Sequence, residues 1–325
     1  MGTTNVDALC VGGVPTLGVG HFITGSVFFV DPELGSDGNE GTADRPMASV
    51  LAAYNKCVSG RGDVVVLKGG PTSGATTGHT NRLSASLTWA KHNTHLMGAA
   101  APTMVGQRSR ITGPSSGGTF SPVITLSGSG CIFANVTIFD DYTVDPVAIK
   151  ITGSRNYFYN VNIQGMGAAT GADDAAGASL WLAGGSENTF EKCVIGLDTI
   201  ARSAANSEIL FTDAATRNIF LGCKIVSYCD SATHLWVDAS AVGSLDRYTE
   251  FRDCSFTNAK TGIASGLTMT QGFSVNASAG GYIELTGTTQ QVGATDWCAA
   301  DNANVFLRGT AATAGSDGIM LAVTR

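Results

Sequence analysis

Charge is scarce in this chain. Asp, Glu, Lys and Arg make up 14% of its 325 residues, against roughly a quarter in ordinary globular domains. What charge there is leans acidic, with a formal net value of −7. A general nucleic-acid binder needs a positive field to draw in phosphates, so that partner class is disfavoured. A grip on a polyanionic sugar chain is disfavoured for the same reason. Long apolar runs are missing too. None approaches the roughly 18 residues that span a bilayer, so no membrane partner is expected. The opening "MGTTNVDALCVGGVPTLGVG" lacks the basic segment of a secretory signal and carries Asp7 early. Val6 stands where the myristoylation pattern needs Ser or Thr. The expectation is a soluble protein made in the cytoplasm that leaves, if at all, inside a particle or by lysis.

Metal and nucleotide signatures are also lacking. The 8 cysteines show no CxxC spacing, which argues against a zinc ribbon. A disulfide framework is not expected in a long chain without an export signal. The histidines form no ligand pattern, and His92 and His95 of "HNTHL" fit a strand or turn. No glycine-rich phosphate loop is present.

Glycine is abundant, 42 residues spread along the whole chain with Ser, Thr and Ala. That suits a β protein with many tight turns. From residue 131 one phrase recurs: "CIFANVTIF", "NYFYNVNIQ", "NTFEKCVIG", "NIFLGCKIV" and "TEFRDCSFT". Phe133, Phe158, Phe190, Phe220 and Phe251 mark it at spacings of 25, 32, 30 and 31 residues. A second phrase precedes each: "PVITLSG", "VAIKITG", "SLWLAGG", "ILFTDAA" and "HLWVDAS". Periods of about 20 to 50 residues signal a solenoid, propeller or array. Propeller blades need longer periods, helical repeats need a 3.6 period, and a leucine-rich repeat needs fixed leucines with an asparagine ladder; none of these is read here. A parallel β-helix remains, with three short strands and three turns per coil. The phenylalanines then form one inward column. Val136, Val161, Cys193, Cys223 and Cys254 form another, with Cys packed as a small hydrophobe.

The lead-in "FFVDPELGSDGNEGTADRPMASVLAAY" followed by "GDVVVLKGG" resembles the N-terminal opening of the pectate-lyase-like right-handed β-helix superfamily. The resemblance rests on the strand Phe28 to Asp31, the loop Gly35, Ser36, Asp37, Asn39, Gly41 and Thr42, the helix start at Pro46, the helix Ser49 to Cys57, and the strand Val64 to Lys68. It implies an all-β fold, a single right-handed parallel β-helix with a short N-terminal capping helix. It says little about activity, because the superfamily holds lyases, hydrolases, epimerases, phage tailspikes and virion proteins without enzymatic activity. The boundaries read as an arm at 1–26, the lead-in strand, loop and capping helix at 27–63, and the β-helix with C-terminal strands at 64–325. A solenoid needs its core end closed. Val50, Leu51, Tyr54 and Cys57 share the helical face that would do this, with Asp44 near the positive end of the helix dipole.

Candidate site residues are few. Aligning "ILFTDAA" with "HLWVDAS" puts Asp213 and Asp238 in one column, about 5 Å apart, the separation of a retaining glycosidase pair; the bland reading is that both end a strand. Asp37, Asn39 and Asp44 offer oxygens to calcium, but their spacing is not that of an EF-hand loop and turn-forming is the favoured explanation. The pairs Asp140–Asp141 and Asp173–Asp174 read as loops. Trp181, Phe211 and Trp236 align as one column, with Leu182 and Val237 on the opposite face; one set fills the lumen and the other needs a cover: a loop of the same chain, a glycan or another subunit.

The expected function is therefore a non-enzymatic structural protein of a bacteriophage virion, a homotrimeric decoration protein touching capsid or tail proteins and needing no cofactor. Two alternatives stand beside it. One is a tailspike or tail fibre that binds or cleaves host surface glycan. The other is a free polysaccharide lyase or hydrolase.

Overall fold

The computed structural model describes residues 24–69, 81–113, 121–260, 267–299 and 304–307, with the backbone of Cys10–Val11 and Val14–Pro15. Most of the arm at 1–26 and most of the C-terminal strands beyond 299 lie outside these residues. The described chain is built from short strands stacked coil on coil. Three parallel sheets of 11, 8 and 7 strands form the three sides. One coil passes, for example, through Tyr157–Tyr159, Asn162–Gln164 and Ala178–Ala183, each in a different sheet.

The recurring phrase supplies two of the three sides. Phe133, Phe158, Phe190, Phe220 and Phe251 pair in register along the 11-stranded sheet. All five are fully buried, and their rings stack with centroids 5.3, 4.6, 4.6 and 4.4 Å apart. A tight corner follows, with Asn135, Asn160, Lys192, Gly222 and Asp253 all at positive φ. Asn and Asp tolerate that conformation better than most residues, and Gly best. The corner turns the next residue inward, so Val136, Val161, Cys193, Cys223 and Cys254 make the second buried column. The thiols donate to carbonyls one coil away, Cys223 Sγ to Phe190 O at 3.3 Å and Cys254 Sγ to Phe220 O at 3.4 Å. Desolvation raises the pKa of Cys223 well above the free-thiol value, as expected of packing rather than reactive cysteines.

Two expectations need correction. An asparagine ladder does exist: the side-chain oxygens of Asn156, Asn188 and Asn218 each accept a backbone N–H from the preceding coil. These residues sit two positions before the phenylalanines, where the turn would otherwise bury unpaired amides. The capping helix is Val50–Lys56, and its buried face is Val50, Ala53 and Tyr54, with Leu51 41% exposed. Leu51 follows Val50 by about 100° around the helix, enough to carry it off the core face. Ser49 is the N-cap, accepting from Ala52 N, and no acidic residue lies in the first turn, so Asp44 plays no dipole role there.

Candidate functional site

The 7-stranded sheet carries most of the sequence candidates. Its register is Leu180 beside Ile209 beside Val237, and Trp181 beside Leu210 beside Asp238. The expected alignment of Phe211 with Trp236 is three residues out of step, and that of Trp181 with Phe211 is out by one. An odd slip moves a side chain to the opposite face. Phe211 accordingly points into the core, opposite to Trp181; Trp236 is fully buried as well, with its ring centroid 5.6 Å from that of Phe256. Trp181 alone remains on the outside, half-buried. Lys150 Nζ lies 3.6 Å from its ring centroid, and its indole N–H donates to Thr212 Oγ1 at 2.8 Å. Lys150 thus covers part of this aromatic.

The same slip separates the two acids. Asp238 lies opposite Leu210 within the sheet, while Asp213 has left its strand and sits in a turn at φ 59. Asp213 Oδ2 accepts from Thr212 Oγ1 at 2.8 Å, and Asp238 Oδ1 accepts from Ser240 N at 2.8 Å. They stand in different positions, not in one column.

Asp37, Asn39 and Asp44 do not combine around a common point either. Asp37 Oδ1 accepts from Ala48 N and Ser49 N at 2.9 and 2.8 Å, and its Oδ2 accepts from Ser49 Oγ at 2.9 Å. Asp37 thus holds the start of the capping helix. Asn39 Nδ2 donates to Pro46 O at 2.9 Å. Among the described residues no group of three or more His, Cys, Asp or Glu is placed to hold a metal ion. No described helix is long and apolar enough to cross a membrane. The paired acids also serve turns: Asp174 accepts from Asp145 N and Ala176 N, and Asp140 accepts from Tyr142 N.

A polar constellation missed in the sequence lies at the corner between the 8- and 7-stranded sheets. Arg202, Glu208 and His234 are all fully buried. Arg202 Nε donates to Glu208 Oε1 at 2.9 Å, and Ser179 Oγ donates to Glu208 Oε2 at 2.6 Å. The guanidinium also donates to the carbonyls of Met166 and Gly165. His234 Nδ1 meets Asn206 Oδ1 at 2.7 Å, while Asn206 Nδ2 is spent on Ala172 O and Asp174 O. That oxygen must accept, so Nδ1 carries the proton and Nε2 takes a bond from Ser227 Oγ at 3.0 Å. Burial is the largest single influence and would raise the Glu208 pKa, but the Arg202 charge, the neighbouring His234 and the hydrogen bond from Arg202 together outweigh it and hold the carboxyl down to about 2. Burial lowers the pKa of His234, against the pull of Glu208. Sealed from solvent, the cluster ties three successive corners together and has no face on which a substrate could sit. Its signals in the sequence are isolated residues in dissimilar loops, without a repeat to draw attention to them.

No family of known sequences matches the chain, and no curated protein does. Solved structures do. A rhamnogalacturonan lyase aligns at a TM-score of 0.51 and 15% identity, over 80% of this chain and 67% of that one. Pectate lyase Pel9A aligns at 0.50 and 17%, over 81% of this chain and 62% of that one. The chain is a right-handed parallel β-helix. It spans about two thirds of the length of either lyase. A pectin methylesterase from carrot aligns at 0.46 and 16%, over 89% and 90% of the two chains. The β-helix is shared with enzymes that act on polysaccharides, and at such identities the likeness speaks for the fold alone.

Proposed function

We propose that this β-helix is a non-enzymatic structural protein of a bacteriophage virion, a homotrimer that decorates the capsid shell. The observation that carries the reading is an apolar cluster outside the lumen. Its centre, Val64, Val66, Ile132 and Ala134, is already buried within the chain, and the half-buried Val27, Phe29, Met97, Tyr157 and Tyr159 pack against it and present its accessible surface. These residues alternate with the luminal ones along the first coils of the 11-stranded sheet, so they stand on its outer face. In later coils the same face carries Glu191, Glu250 and Arg252. A sheet side that is apolar at one end and charged at the other suits side-by-side association of β-helices through the apolar end, with the charged end left wet. Asp213 and Asp238 do not share a register position, so they do not make the carboxylate pair a glycosidase would need.

The test has two parts. Light scattering on the purified chain should give the mass of three copies, and Phe29→Glu should reduce it to one; a monomeric wild type would remove the trimer from the reading. Quantitative mass spectrometry of purified particles should then find this chain in hundreds of copies, on the order of the major shell protein. A few to a few dozen copies would place it on the tail, and none would remove it from the virion.

A further inference from the structure

A cleft of about 350 Å³ opens at the corner between the 11- and 8-stranded sheets, away from every residue singled out above as catalytic. One wall is the segment 99–109, which presents Pro102 and Met104. This wall is fixed from beneath. Asn162, 1% exposed, donates from Nδ2 to Met104 O at 2.9 Å and accepts Gln107 N at Oδ1 at 3.1 Å. Gln107, 3% exposed, donates to Asn160 O at 3.1 Å, and Thr137 Oγ1 donates to Gln107 O at 3.3 Å. An exposed methionine is therefore held on a rigid support, so little order has to be created when something docks against it.

The opposite wall is Tyr159, half-buried on the outer face. Its register neighbour in the preceding coil is Ala134, and beyond that Met97. A methyl group in that coil leaves the Tyr159 side of the sheet open where a larger residue would fill it. The corner itself contributes Asn135, Asn160 and Lys192, all in the left-handed conformation in three successive coils. Asn160 Nδ2 donates to Asn135 Oδ1 at 3.0 Å. Among the described residues neither Asn135 Nδ2 nor Asn160 Oδ1 has a hydrogen-bond partner, which leaves one donor and one acceptor side by side at the cleft. Lys192 Nζ lies 3.7 Å from Glu191 Oε1 and 5.3 Å from the Tyr159 ring centroid, so its charge is answered within the protein.

We propose that this cleft binds a neutral hexopyranose unit of a glycan chain. A pyranose has apolar C–H faces for Tyr159, Met104 and Pro102, and vicinal hydroxyls, one to accept from Asn135 and one to donate to Asn160. A few convergent polar groups against an aromatic and aliphatic lining are what such sites are made of. The compensated Lys192 favours a neutral sugar over an anionic one. The Trp181 face offers less, since Lys150 already occupies its ring. The assignment does not depend on the chain sitting on a particle, but it requires that any subunit contact stay at the Phe29 end of the outer face and leave Tyr159 free.

The test is ligand-observed NMR on the full chain with the methyl glycosides of glucose, mannose and galactose, and with glucuronate as the anionic comparison. At least one neutral glycoside should show saturable millimolar binding. Asn135→Gly, which suits the left-handed backbone and deletes only the amide, should weaken it about tenfold or more. Tyr159→Ala should abolish it, and Asn135→Gly remains decisive if that variant fails to fold. No saturable binding up to about 100 mM would overturn the proposal. So would binding that Asn135→Gly leaves unchanged, or glucuronate binding more tightly than every neutral glycoside.

Discussion

The side-chain oxygen of Asn218 accepts two hydrogen bonds from Asn188, one from its backbone N–H at 3.0 Å and one from Nδ2 at 3.1 Å. Asn188 in turn accepts Asn156 N at 3.0 Å, and its Nδ2 also reaches Gly153 O at 3.3 Å. All three asparagines are buried. Replacing Asn188 with Ala strands the Asn156 N–H in a site water does not reach. Each stranded group costs about 1–3 kcal/mol. Denaturant unfolding of Asn188→Ala should show a loss in that range or above, whereas exposed Asn55→Ala should lie within about 0.5 kcal/mol of wild type. Equal effects for the two would mean that the ladder adds nothing.

Phe220 lies between Phe190 and Phe251 in the luminal stack, its ring planes within 7° and 12° of theirs. Phe220→Ala removes a fully buried ring from a continuous column, and a rigid solenoid cannot close over the gap. The expected cost is about 3–5 kcal/mol. A measured loss under about 1 kcal/mol would contradict the register on which the whole coil assignment stands.

That register was legible for the phenylalanine column and not for its neighbour, for a physical reason. The phenylalanine phrase is followed at once by a tight corner of fixed length, so its strands stay in step from coil to coil. The strands of the 7-stranded sheet are preceded by loops of varying length, and nothing in "ILFTDAA" and "HLWVDAS" marks where pairing begins. The shared Asp-Ala pair sets Asp213 against Asp238, whereas in the fold Asp238 pairs with Leu210, which leaves Phe211 and Trp236 three residues out of step. The asparagine ladder was in plain view in "NYF", "NTF" and "NIF", but its role depends on burial, which the phrase alone does not reveal. The Arg202–Glu208–His234 cluster joins loops of different coils, and only the stacking of those coils brings them together.

Arg202 and Glu208 form a fully buried ion pair. Glu208→Gln keeps the shape of the side chain and leaves the guanidinium uncompensated; losing one partner of such a pair costs about 3–5 kcal/mol. Arg202→Met combined with Glu208→Gln should cost less than Glu208→Gln alone, because no buried charge is left over. The pair also sets an acid limit. With the Glu208 pKa depressed in the folded state, its contribution is complete above the ordinary glutamate value of about 4.3 and is lost as pH falls toward the folded value. His234, also depressed, adds a loss as pH falls below about 6.5. Midpoints of denaturant unfolding measured from pH 7 to 3 should fall for wild type. Glu208→Gln should lose the part of that fall below pH 4.3, and a curve parallel to wild type would exclude Glu208 as its source.

Asp140 behaves in the opposite sense. Its carboxyl is fully buried, Oδ1 accepts from Tyr142 N at 2.8 Å, and Oδ2 meets no hydrogen-bond geometry with any described residue. Burial raises its pKa to about 7, with backbone hydrogen bonds pulling down and the Asp141 charge pushing further up. A raised folded value means that the contribution of Asp140 is complete below the unfolded value of about 3.9 and is lost as pH climbs toward 7. A neutral carboxamide can still accept from Tyr142 N without ever ionising. Asp140→Asn should therefore match wild type near pH 4 and exceed it at pH 8 by a few kcal/mol, on the order of 1.4 kcal/mol for each pH unit of the shift. Unfolding of both proteins at pH 4, 6 and 8 decides the matter. A gap that does not widen with pH would mean that Asp140 stays ionised in its pocket, with a partner for Oδ2 that compensates the charge.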